Sequence, residues 1–180
     1  MSAICVYCAS GPVDQTYLDL AEQTGAAIAE AGLTLVSGGG NVGMMGALVQ
    51  GARAAGGYTI GIIPEHLMAA EVADTDSDEL IVTGTMRERK RLMDELADGF
   101  ITLPGGIGTL EELFETWTGG FLGVHAKPIA LLNHEGFYDP MLVWLHDLAG
   151  RGFVAQHALD RLTVVPDLAG ALAVADSAVR

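Results

Sequence analysis

Two glycine-rich runs in this chain have the composition of anion-binding loops. One is Ser37-Gly38-Gly39-Gly40-Asn41-Val42-Gly43-Met44-Met45-Gly46, and the other is Leu103-Pro104-Gly105-Gly106-Ile107-Gly108-Thr109. Each follows an apolar, strand-like run and opens a segment of helical periodicity. Glycine lets such a turn be sharp and approach a ligand closely, and the free N–H groups of a helix N-terminus attract negative charge. Phosphate is the expected ligand. Neither run continues into Gly-Lys-Ser/Thr, and the first has glycines at 38, 39, 40, 43 and 46 instead of the G-x-G-x-x-G dinucleotide spacing, which favours a mononucleotide. A tight strand-to-helix turn can also use glycine for packing alone, so each run gains meaning from its neighbours.

Those neighbours are charged. After the second run, Leu110, Leu113, Phe114, Trp117 and Phe121 form one apolar helical face, while Glu111, Glu112, Glu115 and Thr118 occupy the other arc. Glutamates three or four residues apart raise one another's pKa, although a helix N-terminus opposes this. They could be solvated first-turn acids. Beside a bound sugar phosphate, however, a carboxylate can orient water or stabilise positive charge on the sugar, as glycosidic cleavage requires. In a third segment, Met86, Arg89, Lys90 and Met93 share a helical face, and Arg89 and Lys90 offer phosphate-type donors unless they merely decorate a surface helix.

The elements that must position these groups can be read from periodicity. Apolar runs at 4–7, 33–36, 59–63, 80–82, 100–103, 129–132 and 162–165 read as strands buried on both faces. Helical patterns fall at 14–31, 43–55, 85–97, 109–122, from Asp139-Pro140 as N-cap and first turn to about Leu148, and from Leu168 to about Ala175. Strands alternating with helices predict a single-domain α/β fold, a Rossmann-like, doubly wound parallel sheet flanked by helices and spanning residues 1–180. The irregular stretch 64–79 would be a lid or rim loop.

Composition narrows the partners. A formal net charge of −14 opposes binding of a nucleic acid polymer, although a small phosphorylated metabolite needs only a few local donors. No run approaches the ~20 apolar residues of a membrane span, and the start lacks a signal-peptide pattern, so no membrane association and a cytoplasmic location are expected. Cys5 and Cys8 cannot make a four-thiolate zinc site and read as inert strand-end thiols, and the five histidines are scattered without a metal or triad motif. High apolar content in a small chain suggests a homodimer.

Together the motifs resemble the LOG family, the cytokinin riboside 5′-monophosphate phosphoribohydrolases, often mislabelled lysine decarboxylases. Pro104 to Glu112 meets the family pattern P-G-G-x-G-T-x-x-E, Gly38 to Gly46 meets G-G-G-x-x-G-x-M-G, and Glu88-Arg89-Lys90 meets E/Q-R-K. Cys5 to Ser10 looks like the family's first strand and turn. The resemblance implies a homodimer that hydrolyses a nucleoside 5′-monophosphate to free base and ribose 5-phosphate without metal or cofactor. Carried over, Arg89 and Glu112 would be catalytic. Ser10, Gly39, Gly40, Gly43, Met44, Glu71, Lys90, Gly105, Gly106, Ile107, Gly108, Thr109, Leu110, Glu111 and Thr118 would contact the nucleotide. Ser37, Ala9 and Arg87 depart from the usual tyrosine, glycine and histidine, which bears on base preference. The rival reading is a non-catalytic nucleotide or molybdenum-cofactor carrier of the same fold. A pyridoxal decarboxylase is disfavoured, because Lys90 and Lys127 are the chain's only lysines.

Overall fold

A computed structural model of the chain describes residues 2–69 and 71–179, leaving aside the side chains of 178 and 179. Seven parallel strands form one sheet: β1 (Ala3–Tyr7), β2 (Thr34–Ser37), β3 (Thr59–Pro64), β4 (Glu79–Thr83), β5 (Gly99–Thr102), β6 (Ile129–Leu132) and β7 (Thr163–Val165), in the order β4-β3-β2-β1-β5-β6-β7. The helices are α1 (Gln15–Glu30), α2 (Gly43–Ala54), α3 (Met86–Leu96), α4 (Ile107–Phe121), α5 (Asp139–Gly150), α6 (Gln156–Leu159) and α7 (Leu168–Ala175). The doubly wound expectation is met.

Successive side chains of a strand point to opposite faces, and β1 shows how each face is covered. Ile4 and Val6 join Leu20 and Ile28 of α1, Met44 and Leu48 of α2 and Ala171 of α7 in one core. Ala3, Cys5 and Tyr7 join Met93 of α3, Leu113 and Trp117 of α4 and Leu145 of α5 in the other. Burial on both faces explains why β1, β2, β3, β5 and β6 read as unbroken apolar runs, while the edge strands β4 and β7 are partly exposed. Chain order reverses between β1 and β5, which pair in parallel from Ile4↔Gly99 to Tyr7↔Thr102. In an open α/β sheet the crevice beyond the carboxyl ends of such strands is where ligands bind.

Two details differ from expectation. Tyr138, not Asp139, is the N-cap of α5, so Asp139 lies inside the first turn with Pro140. The four-residue α6 had no periodic signature to betray it.

Candidate active site

The crevice is a cleft of about 410 Å³, lined by Cys8, Ala9, Ser10 and Gly11 after β1 and by Gly106, Ile107, Gly108 and Thr109 after β5. Glu111 and Glu112 of α4, Met86 and Arg89 of α3, Met45 of α2, and Leu67 and Glu71 from the loop after β3 complete it. The two strands at the reversal point therefore supply the floor, and three helices with one loop supply the walls.

The second glycine run forms the N-terminus of α4, with Gly106 as N-cap and no side chain capping it. The first N–H groups of a helix have no intrahelical acceptor, and the macrodipole adds about half a positive charge there. Gly105 is required for packing, since a Cβ on it would fall 2.1 Å from the Thr109 hydroxyl, whereas Cβ atoms on Gly106 and Gly108 would meet nothing within 4 Å. The loop is thus closed on the Thr109 side and open toward the cleft.

The first glycine run does something else. Its helix, α2, begins against the loop after β1, where the Met44 amide donates to the Ala9 carbonyl at 3.1 Å. The carbonyl of Gly38 accepts from Arg89 Nη2 at 2.8 Å, and Asn41 N donates to the carbonyls of Glu71 and Val72. The absence of a side chain at Gly38 is what lets Arg89 reach this carbonyl, because a Cβ would lie 2.0 Å from that guanidinium nitrogen and displace it. Phosphate had been the expected partner of both runs, but this one engages the protein's own arginine and loop. Gly39, Gly40, Gly43 and the fully buried Met44 consequently stand behind the cleft wall, and Met45 reaches into it instead.

Arg89 is 4% exposed. Its Nε donates to the Ile62 carbonyl at 3.1 Å, Nη2 lies 3.5 Å from Glu71 Oε2, and Nη1 faces the sulfur of Met86 at 3.8 Å, a weak acceptor. The Met86/Arg89/Lys90/Met93 face therefore points inward, although a core stripe with two charges had not been expected. Lys90 takes a different direction, pairing with Glu111 and Glu115 of α4. Burial acts to lower its pKa, but the two carboxylates outweigh it and hold it above the usual value. Lys90 lines a separate pocket with Tyr7, Arg87, Asp94 and His125, which Glu112 also borders.

Glu112 is the chemical centre of this arrangement. Burial pushes its pKa up from 4.5 to about 7, opposed by Arg89 and reinforced by the charges of Glu111 and Glu71. Its carboxyl makes no hydrogen bond or ion pair among the described residues, while its neighbour Glu111 is tied to Lys90. Burial likewise raises the thiols of Cys5 and Cys8, consistent with inert cysteines even though Cys8 lines the cleft.

Of the residues singled out from sequence, the cleft gathers Ser10, Glu71, Arg89, Gly106, Ile107, Gly108, Thr109, Glu111 and Glu112. Leu110 packs against the core, Gly105 faces a side pocket with Met44 and Phe137, and Thr118 lies on an exposed apolar groove with Phe114, Trp117, Phe121 and Phe153. Cys8, Ala9, Gly11, Val13, Met45, Leu67 and Met86 were missed. Of these, the Met86 position on the Arg89 face was the one visible signal.

Fold and site together define a doubly wound α/β protein with an uncapped helix N-terminus at the reversal point, beside a buried arginine and a carboxyl group that makes no hydrogen bond among the described residues. Residues 45–174 match a family model described as "Possible lysine decarboxylase". The chain is 51% identical over 169 residues to the cytokinin riboside 5′-monophosphate phosphoribohydrolase of Mycobacterium tuberculosis, covering 94% of this chain and 90% of that one. It is 44% identical over 156 residues to the cytokinin riboside 5′-monophosphate phosphoribohydrolase LOG of Oryza sativa, covering 86% of this chain and 64% of that one. Among solved structures, the molybdenum cofactor binding protein of Rippkaea orientalis superposes with a TM-score of 0.76 at 28% identity, over 99% of this chain and 98% of that one. The chain belongs to the LOG-type family that these phosphoribohydrolases and the "Possible lysine decarboxylase" model describe.

Proposed function

We propose that this protein is a phosphoribohydrolase: it hydrolyses the N-glycosidic bond of a nucleoside 5′-monophosphate, releasing the free base and ribose 5-phosphate. The 5′-phosphate sits at the N-terminus of α4, held by the amides of the Gly106–Thr109 turn. At about 1.5 Å rise per residue, Glu112 stands about 6 Å along the helix from Gly108, comparable to the reach of a ribose from its phosphate to its anomeric carbon. The carboxylate then faces the reacting centre. As the base departs, the sugar becomes oxocarbenium-like; the ionised Glu112 stabilises that charge and accepts a proton from the attacking water, whose oxygen bonds to the anomeric carbon. The base leaves with the electron pair of the broken C–N bond and takes up a proton.

Arg89 restrains the proton affinity of Glu112, and Nη1 retains hydrogen-bonding capacity toward the nucleotide. Its bonds to the carbonyls of Ile62 and Gly38 fix its direction before substrate arrives. The observation that carries this reading is Glu112 itself, a carboxyl that burial pushes up to about 7 and that makes no hydrogen bond among the described residues, on the helix whose uncapped first turn lines the cleft. The names of the relatives at 51% and 44% identity support the same reaction. Lysine-based decarboxylation finds no support, since Lys90 is paired to two glutamates and Lys127 donates to the Asp94 carbonyl.

The same reading includes a homodimer. Phe153, Val124, Val143, Leu122 and Trp144 are all more than half exposed, and large exposed apolar surface favours association. Thr118 borders the same groove as Phe153 and lies outside the cleft lining of its own chain.

Incubating the protein with AMP, an N6-prenylated AMP and adenosine, and separating free base by chromatography, tests the proposal. Base should appear from the nucleotides and at a much lower rate from adenosine. Equal turnover of adenosine would refute the phosphate site, and nucleotide binding without base release would favour the carrier reading, which the Rippkaea orientalis protein represents at 28% identity.

A further inference from the structure

The loop that joins β3 to β4 carries Leu67 and Glu71 into the cleft, yet few apolar contacts hold it. Leu67 and Met68 are half-buried, and Val72 is 53% exposed with a left-handed φ of 47°, a conformation that a β-branched residue keeps when its surroundings enforce it. The enforcement is polar. Asn41 N donates to the carbonyls of Glu71 at 3.0 Å and Val72 at 2.8 Å, and Asp74 N donates to the Gly39 carbonyl at 2.9 Å. Gly40 and Ala73 form an antiparallel bridge between these bonds. Toward its far end Asp78 accepts from the Thr59 amide and hydroxyl, and the fully buried Asp74 ties the loop to α2. Its Oδ2 accepts from Arg53 Nη1 of α2 at 2.5 Å and from the Ser77 hydroxyl at 2.6 Å.

We propose that Arg53 and Asp74 form a latch that sets the position of Glu71 over the cleft, which makes them positioning residues for the reaction proposed above. The latch ties the C-terminal turn of α2 to the loop, while the glycine run at the other end of α2 holds both the loop backbone and Arg89 through Gly38. Glu71 and Arg89 thus share one support, and their 3.5 Å separation follows from it. A shift of the loop would carry Glu71 away from Arg89 and out of the cleft wall it lines, so the nucleotide would lose a contact on that side. The catalytic consequence rests on the phosphoribohydrolase reading, but the anchoring does not.

Arg53→Met removes the charge and keeps the apolar stem, Arg53→Lys restores the charge, and Ser77→Ala removes the second donor to Asp74 without stranding a charge, in case Arg53→Met folds poorly. Hydrogen exchange should rise about tenfold or more at the Asn41 and Asp74 amides in Arg53→Met, less in Ser77→Ala, and stay unchanged in β1 and β5. The KM for AMP should rise about tenfold in Arg53→Met, recover largely in Arg53→Lys, and change by less than about twofold when Arg53→Met is added to Glu71→Gln, because both act through one side chain. Unchanged exchange in Arg53→Met and Ser77→Ala would overturn the latch. Kinetic effects that simply multiply with those of Glu71→Gln would overturn the positioning role. Exchange can be read whether or not the wild type turns over, so a silent wild type would refute the function reading and leave the latch to be decided by exchange.

Discussion

Replacing Glu112 by glutamine should make the protein more stable while it disables the site. Burial raises the Glu112 carboxyl from 4.5 to about 7 in the folded chain, so folding has to hold a proton that the unfolded chain releases near pH 4.5. Below pH 4.5 both states are protonated and the group contributes no difference. Between 4.5 and 7 the unfolded state binds fewer protons than the folded one, so stability falls as pH rises, and above about 7 the full penalty persists. Raising a carboxyl from 4.5 to about 7 corresponds to about 3 kcal/mol, an upper value for a group that also borders an open cleft. Glutamine has the same shape and does not titrate. Urea denaturation of both proteins at pH 4.5 and pH 8, at one protein concentration, isolates the difference because every other titrating group cancels. Glu112→Gln should gain up to about 3 kcal/mol relative to wild type between the two pH values, with the denaturant slope unchanged. A difference that is flat with pH would show that the carboxyl is not desolvated, and the argument for its near-neutral pKa would fail.

Three further outcomes follow from the same geometry. Gly38→Ala should displace the Arg89 guanidinium, because its Cβ would stand 2.0 Å from Nη2, and kcat/KM for AMP should fall about 10²-fold or more while the fold persists; wild-type kinetics would show that the arginine is not held there. The kcat/KM of wild type for AMP should fall about tenfold per pH unit below about pH 7 as Glu112 takes up its proton, and an identical acidic limb in Glu112→Gln would assign that limb to another group. Light scattering at micromolar concentration should give the mass of a dimer, and monomer alone would leave the exposed side chains of Phe153 and Val124 unexplained.

The fold was legible because burial on both faces writes each of the five inner strands as a compact apolar run, and Ile129–Leu132 was read to the residue. The charged groups were harder. The shared face of Met86, Arg89, Lys90 and Met93 was visible at helical spacing, but helical spacing does not tell which charge turns to a backbone carbonyl and which to a glutamate. Arg89 reaches Ile62 and Gly38, 27 and 51 residues away, whereas Lys90 finds Glu111 and Glu115. The same limit applied to Gly38–Gly46, whose composition suits an anion loop and whose partner is the strand-connecting loop at Glu71 and Asp74. Glu112 could be singled out by its place after Pro104-Gly105-Gly106, but its raised pKa comes from burial and from the charges of Arg89 and Glu71, which only long-range packing brings near it.

The most direct test of the account is a product balance with an N6-prenylated AMP, run side by side for wild type and Glu112→Gln. Wild type should release free base and ribose 5-phosphate in equal amounts. Glu112→Gln should bind the nucleotide with similar affinity and release both products about 10²-fold more slowly or worse, the scale expected for a lost charge stabiliser and base. Turnover by Glu112→Gln at the wild-type rate, or binding by the wild type without release of either product, would contradict it.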